Sequence, residues 1–168
     1  MDFSNKDFTE IKDLKQILEK IDANPKKYLD EIIDELYQYQ PFILSLIMGY
    51  QPDLNQSEFE EVAQVYLIIW EFFKGKNNVK KKKLTINRYE EIEKNNIHFF
   101  RYLELSDKKD RDFASTNDLQ NQASKALLAV IFQRFTSRPI LLGMNQDHRA
   151  IILVGLKSTI EGLEEITK

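Results

Sequence analysis

The stretch SEFEEVAQVYLIIWEFF, residues 57–73, decides the fold class. Phe59, Val62, Ala63, Tyr66, Ile69, Trp70 and Phe73 recur there at helical spacing, and Ser57 with Glu60 reads as a capping box at the start. Leu67, Ile68 and Phe72 make a second side apolar, so this helix offers little to water and belongs at the centre of a core. Gly75 ends it.

Toward the N-terminus, Phe8, Ile11, Leu14, Leu18 and Ile21 behind Ser4 predict a helix over 7–22. Asn24 and Pro25 then cap and open a second helix, to about Tyr39, whose stripe is Leu29, Ile32, Ile33 and Leu36. Pro41 begins a short third segment, Phe42 to Met48, apolar on nearly every side, closed by Gly49 and expected to be buried.

Toward the C-terminus, KNNVKKKK at 76–83 has no apolar period and reads as a solvated, flexible connection. Tyr89, Ile92, Phe99, Phe100 and Leu103 then predict a helix over 87–105. The charged run 106–117 reads as a second flexible connection, after which Asp118 is expected to cap a helix through Phe135. An apolar connector at 139–143 leads to a last helix over 146–166, carrying Ile152, Leu156, Ile160 and Leu163. Its rival is a hairpin made from Ile140 to Leu142 and Ile151 to Val154, kept in play by Gly155 and Gly162, each of which weakens a helix by about 1 kcal/mol. The expectation is an all-α, irregular, single-domain bundle of six or seven helices over 1–168, with a short C-terminal β-hairpin as the alternative.

The 168 residues, 42% of them hydrophobic, suit one core. With no cysteine, thiolate nucleophiles, disulfides and Cys-ligated metals are excluded. The net charge of -3 is uneven: residues 1–73 hold 15 acidic and 6 basic groups, 74–111 hold 6 and 12, and 112–168 hold 6 and 6. An acidic first part and a basic middle are thus placed to face one another or separate partners. Met1 to Lys20 contains no signal-peptide apolar region, and no apolar run approaches the ~20 residues that a membrane span needs, so a cytoplasmic protein without a membrane partner is expected.

Chemical motifs are absent. Asn95 and Asn145 stand three positions before His98 and His148, where a helical di-metal site wants glutamate, and no HExxH occurs, so no metal and no cofactor is expected. No Gly-x-Ser-x-Gly elbow, phosphate loop or dinucleotide fingerprint exists, and no catalytic residue is assigned. The acidic residues Asp30, Glu31, Asp34, Glu35, Glu58, Glu60 and Glu61 read as solvated helix faces. The function this favours is a non-enzymatic interaction or adaptor domain that meets a protein partner or itself, since the apolar surface exceeds what a small bundle covers. One alternative is a small-molecule-binding protein or enzyme with a pocket among Trp70, His98 and Phe100. Another is weak nucleic-acid association through Lys80, Lys81, Lys82 and Lys83, disfavoured because no aromatic interrupts the run.

Overall fold

The computed structural model describes residues 4–168, so the first three residues of the stretch Met1 to Lys20 lie outside the described residues. Among the described residues, nine α-helices follow in order: α1 (Asn5–Ala23), α2 (Pro25–Tyr39), α3 (Pro41–Gly49), α4 (Gln56–Phe73), α5 (Ile86–Leu105), α6 (Lys108–Asn121), α7 (Lys125–Ser137), α8 (Pro139–Gly143) and α9 (Gln146–Thr167). A 3-10 turn, Gln51–Asp53, links α3 to α4, and no strand occurs among the described residues. The all-α class stands, while the hairpin alternative is corrected: Asn145 accepts hydrogen bonds from the Asp147 and His148 amides, and one helix runs on from there.

Caps explain most helix starts. Ser4 and Asp7 form a capping box on α1, and Asn24 with Pro25 opens α2 as the sequence suggests. The box on α4 lies two residues earlier than expected, on Asn55 and Glu58 rather than on Ser57 and Glu60. The helix count rises above seven because two segments read as connectors are helical, the apolar turn α8 and the charged α6. Asp107 starts α6 by accepting from the Asp110 amide at 2.9 Å, and Arg111 holds the terminal carbonyls of α5, Leu103 at 2.9 Å and Ser106 at 3.0 Å. Asp118 is therefore no cap: it sits inside α6, and a break at 122–124 separates that helix from α7.

α4 is the axis of the molecule. It packs against α1, α2, α3, α7, α8 and α9, and Val62, Val65, Tyr66, Ile69 and Trp70 are among its buried side chains. α5 lies along α9, α1 along α7, and α6 bridges α5 and α7. α3 is buried on one face only: Ile43 and Ile47 point inward whereas Met48 is 46% exposed, because nine residues on the rim of α2 and α4 cannot be covered all round.

The connection at 76–83 is irregular, as expected, and its backbone is fastened. Val79 and Leu84 are buried, and Asn78 turns the chain with φ 65°. The fully buried Gln40 side chain donates to the Val79 carbonyl at 2.6 Å and the Lys82 carbonyl at 2.8 Å, and accepts from the Leu84 amide at 2.9 Å. Gln40→Leu keeps the volume but strands these backbone groups; an unmade buried hydrogen bond costs ~1–3 kcal/mol, and part of this turn can hydrate, so a loss of about 2 kcal/mol is expected. Chemical denaturation measures the loss, and faster amide exchange at Leu84 would locate it.

Candidate docking groove

The α5–α6–α9 corner carries an open apolar groove of about 410 Å³. Phe100 and Leu103 of α5 and Ala150, Leu153 and Val154 of α9 line it, with Glu104 and Arg111 as its charged members. Helical spacing explains the lining, because positions 100 and 103 share a face of α5, as 150, 153 and 154 do on α9. Outside the groove, the same elements carry exposed large apolar side chains: Tyr102 is 52% exposed, Leu105 90%, Phe113 76% and Ile151 59%.

α6 is the unusual wall, since none of its 14 residues is buried. A short helix in water is marginal without a packed face. This one has Leu119 packed against the core, and polar ties add to that contact. Lys157 of α9, itself 3% exposed, donates to Asn96 of α5 at 2.7 Å, pairs with Glu161 and lies 3.4 Å from Asp118 of α6. Asn96 donates to Ser158 at 3.0 Å and Glu161 at 2.8 Å, and Gln122 donates to Glu161 at 2.9 Å. Burial pushes the Asp118 carboxyl above its ordinary range, with Lys157 pulling the other way. Glu164, raised by the same cause, accepts from the Ser124 amide at 2.7 Å and so sits at the opening of α7.

A second polar cluster lies inside. The hydroxyls of Tyr50, Tyr66 and Tyr89 converge on Gly155 of α9, where an added Cβ would come within 2.3 Å of the Tyr50 oxygen. Tyr50 and Tyr66 share a hydrogen bond at 2.9 Å, and Tyr89 donates to Glu93 at 3.1 Å. Burial pushes Tyr50 up to about 12 and Tyr66 and Tyr89 upward as well. An unfolded tyrosine ionises near pH ~10, so below that pH these groups leave stability untouched, and above it the unfolded chain releases protons that the folded one retains. Unfolding is therefore expected as pH climbs from ~10 toward about 12, with Tyr66→Phe reducing the phenolate absorbance that accompanies loss of helix. If that substitution removed absorbance developed while the helices persist, the buried-hydroxyl account would be wrong.

The three residues singled out as a pocket are not joined by any hydrogen bond, ion pair or ring contact among the described residues. Trp70 is buried against α2, where its indole donates to Glu35 at 2.6 Å and stacks with Tyr39 at 6.4 Å between centroids. His98 is exposed on α5, and only Phe100, half-buried, reaches the groove. The sequence reading missed Leu103, Leu153 and Val154; their apolar spacing is visible, but it looks the same as core spacing. Lys80, Lys81, Lys82 and Lys83 are exposed on the fastened turn, with Lys80 5.1 Å from the centre of the Tyr39 ring. The basic middle does meet the acidic first part: Lys74 lies 3.6 Å from Glu35 and Lys76 3.4 Å from Glu10, with the Lys76 ammonium 3.9 Å above Phe72. Burial pushes Lys76 down despite the help of Glu10.

Among the described residues no group of three or more His, Asp or Glu side chains is arranged to hold a metal ion, and no helix is long and apolar enough to cross a membrane. Comparison with protein-family models, with curated proteins and with solved structures finds no match.

Proposed function

We propose that this chain is a protein-interaction domain that docks an amphipathic helix in the α5–α6–α9 groove. The observation that carries the reading is α6: a 14-residue helix with no buried residue, beside an apolar groove, with Phe113 76% exposed. An apolar groove with exposed apolar side chains on the elements that form it is a candidate contact surface. The interior at Trp70, sealed by Glu35 and Tyr39, supports an interaction role over a ligand pocket there.

The probe is a designed amphipathic helical peptide of Leu, Lys and Glu. Its addition is expected to shift the methyl resonances of Leu103, Leu153 and Val154, and Leu103→Asp is expected to weaken binding by about tenfold or more, as loss of an anchoring contact does. Binding that leaves those methyls unmoved, or that survives Leu103→Asp, would remove the groove from this role.

A further inference from the structure

We infer that α6 is a conditional helix: residues 108–121 melt to irregular chain as one unit while the other helices stay folded, and melting uncovers the Lys157 ammonium. This behaviour is independent of the docking role and needs no occupant of the groove. Little in α6 itself favours the helical state. None of its 14 residues is buried, and of its two large apolar side chains Leu119 packs against the core while Phe113 is 76% exposed. Its middle is Ser115, Thr116, Asn117 and Asp118, four residues in a row whose side chains lower helix propensity by competing for backbone hydrogen bonds or losing rotamer freedom. A segment this short needs a packed face to offset the cost of starting a helix. α7 and α9 have one, burying Leu127, Ile131, Leu156 and Ile160.

The two ends stay in place without the helix. The Ser106 hydroxyl donates to the Tyr102 carbonyl of α5 at 2.6 Å; at the far end Lys6 donates to the Ala123 carbonyl at 3.0 Å and the Ser124 amide to Glu164 at 2.7 Å. A rigid helix fixed at both ends cannot swing out, so it leaves its place by melting. The melted segment still reaches both ends, because extended chain covers about twice the rise of a helix per residue. The polar ties to α9 oppose melting only in part. The Lys157–Asp118 contact at 3.4 Å and the Gln122–Glu161 hydrogen bond at 2.9 Å are exchanged for water, and the desolvation that pairing demanded is recovered. Lys157 is 3% exposed with Asp118 as its neighbour on α6, so its accessibility reports the state of that helix.

Native-state hydrogen exchange of the full chain, with acetylation of Lys157 followed by mass spectrometry, tests the inference. The amides of 112–121 should exchange with one common protection, about a hundredfold or more weaker than that of α4 and α9. Thr116 and Asn117 are exposed, so substitutions there act on helix propensity and leave the ties untouched. Thr116→Gly with Asn117→Gly should exchange these amides about thirtyfold faster than Thr116→Ala with Asn117→Ala, and the rate of Lys157 acetylation should differ by the same factor. Trp70 is the one tryptophan and lies in the core, so its unchanged fluorescence would show that the rest stays folded. Should the glycine pair unfold the whole chain, the alanine pair still decides, since it should slow both rates about tenfold against the wild type. Three results would each overturn the inference: α6 amides as protected as those of α4, protection graded inward from the helix ends as in fraying, or Lys157 acetylation equal in the alanine pair and the wild type.

Discussion

Lys157→Met is expected to lower the unfolding free energy by about 3 kcal/mol at neutral pH, the low end for removing one member of a buried ion pair. Methionine replaces the aliphatic stem, so the lost packing is small and the charge is the change. The low end applies because the Asp118 and Glu161 side chains keep 26% and 22% of their exposure, and water can relieve part of the uncompensated charge. Asn96 loses an acceptor role at the same time. The sign of the pH dependence identifies the cause. The Asp118 carboxyl already lies above its ordinary range in the folded chain, and without Lys157 it rises further. A raised carboxyl contributes its stability at low pH and loses it as pH climbs through the folded value, so the gap between variant and wild type should narrow toward about pH 4. Urea denaturation at neutral and acidic pH measures both quantities, and a gap independent of pH would mean that lost packing, not charge, dominates. Because these bonds help to tie α6 to α5 and α9, the variant should also loosen the corner that carries the groove.

That network shows what the sequence could and could not convey. The stripes of α1, α2, α4 and α5 were legible because each apolar side chain recurs at three or four positions, a signal that depends only on the segment itself. α4 was legible as the axis for the same reason, having apolar residues on both faces. α6 was not, since Lys108 to Asn121 has almost no apolar stripe, and its helix depends on contacts from residues distant in sequence, Lys157 and Glu161 above all. Gly155 and Gly162 argued locally for a weak helix or a strand. In three dimensions they mark close approaches: at Gly155 three tyrosine hydroxyls occupy the space of a side chain, and at Gly162 an added Cβ would come within 2.7 Å of Leu84. Gln40 was likewise silent, because a glutamine before a proline carries no hint of the turn 39 residues ahead that it binds. For the groove, apolar spacing at 100 and 103 was visible, but spacing reports a face and not what covers it.

Trp70→Ala should have the larger effect, about 4 kcal/mol, the cost of emptying an indole-sized volume in a packed core. Trp70 is 1% exposed and lies on the helix against which six others pack, so the surroundings cannot close the void by moving one side chain. Trp70→Phe keeps one six-membered ring while the pyrrole ring and its donor to Glu35 go, so it loses the hydrogen bond and only a small part of the packing. Glu35 keeps 33% of its side-chain exposure and has Lys74 at 3.6 Å, so the lost hydrogen bond should cost about 1 kcal/mol and the smaller ring adds a further part, the total staying well below that of Trp70→Ala. The pair also decides between the sealed interior and a ligand pocket at this residue. A cavity lined by apolar groups binds small apolar molecules, and a molecule that binds only the folded chain raises its melting temperature. Benzene should therefore raise the melting temperature of Trp70→Ala and leave the wild-type chain unaffected. Equal stabilisation of the two would mean that the native molecule already has such a space beside Trp70, and the interaction reading would then have to give way to one in which α4 lines a binding cavity.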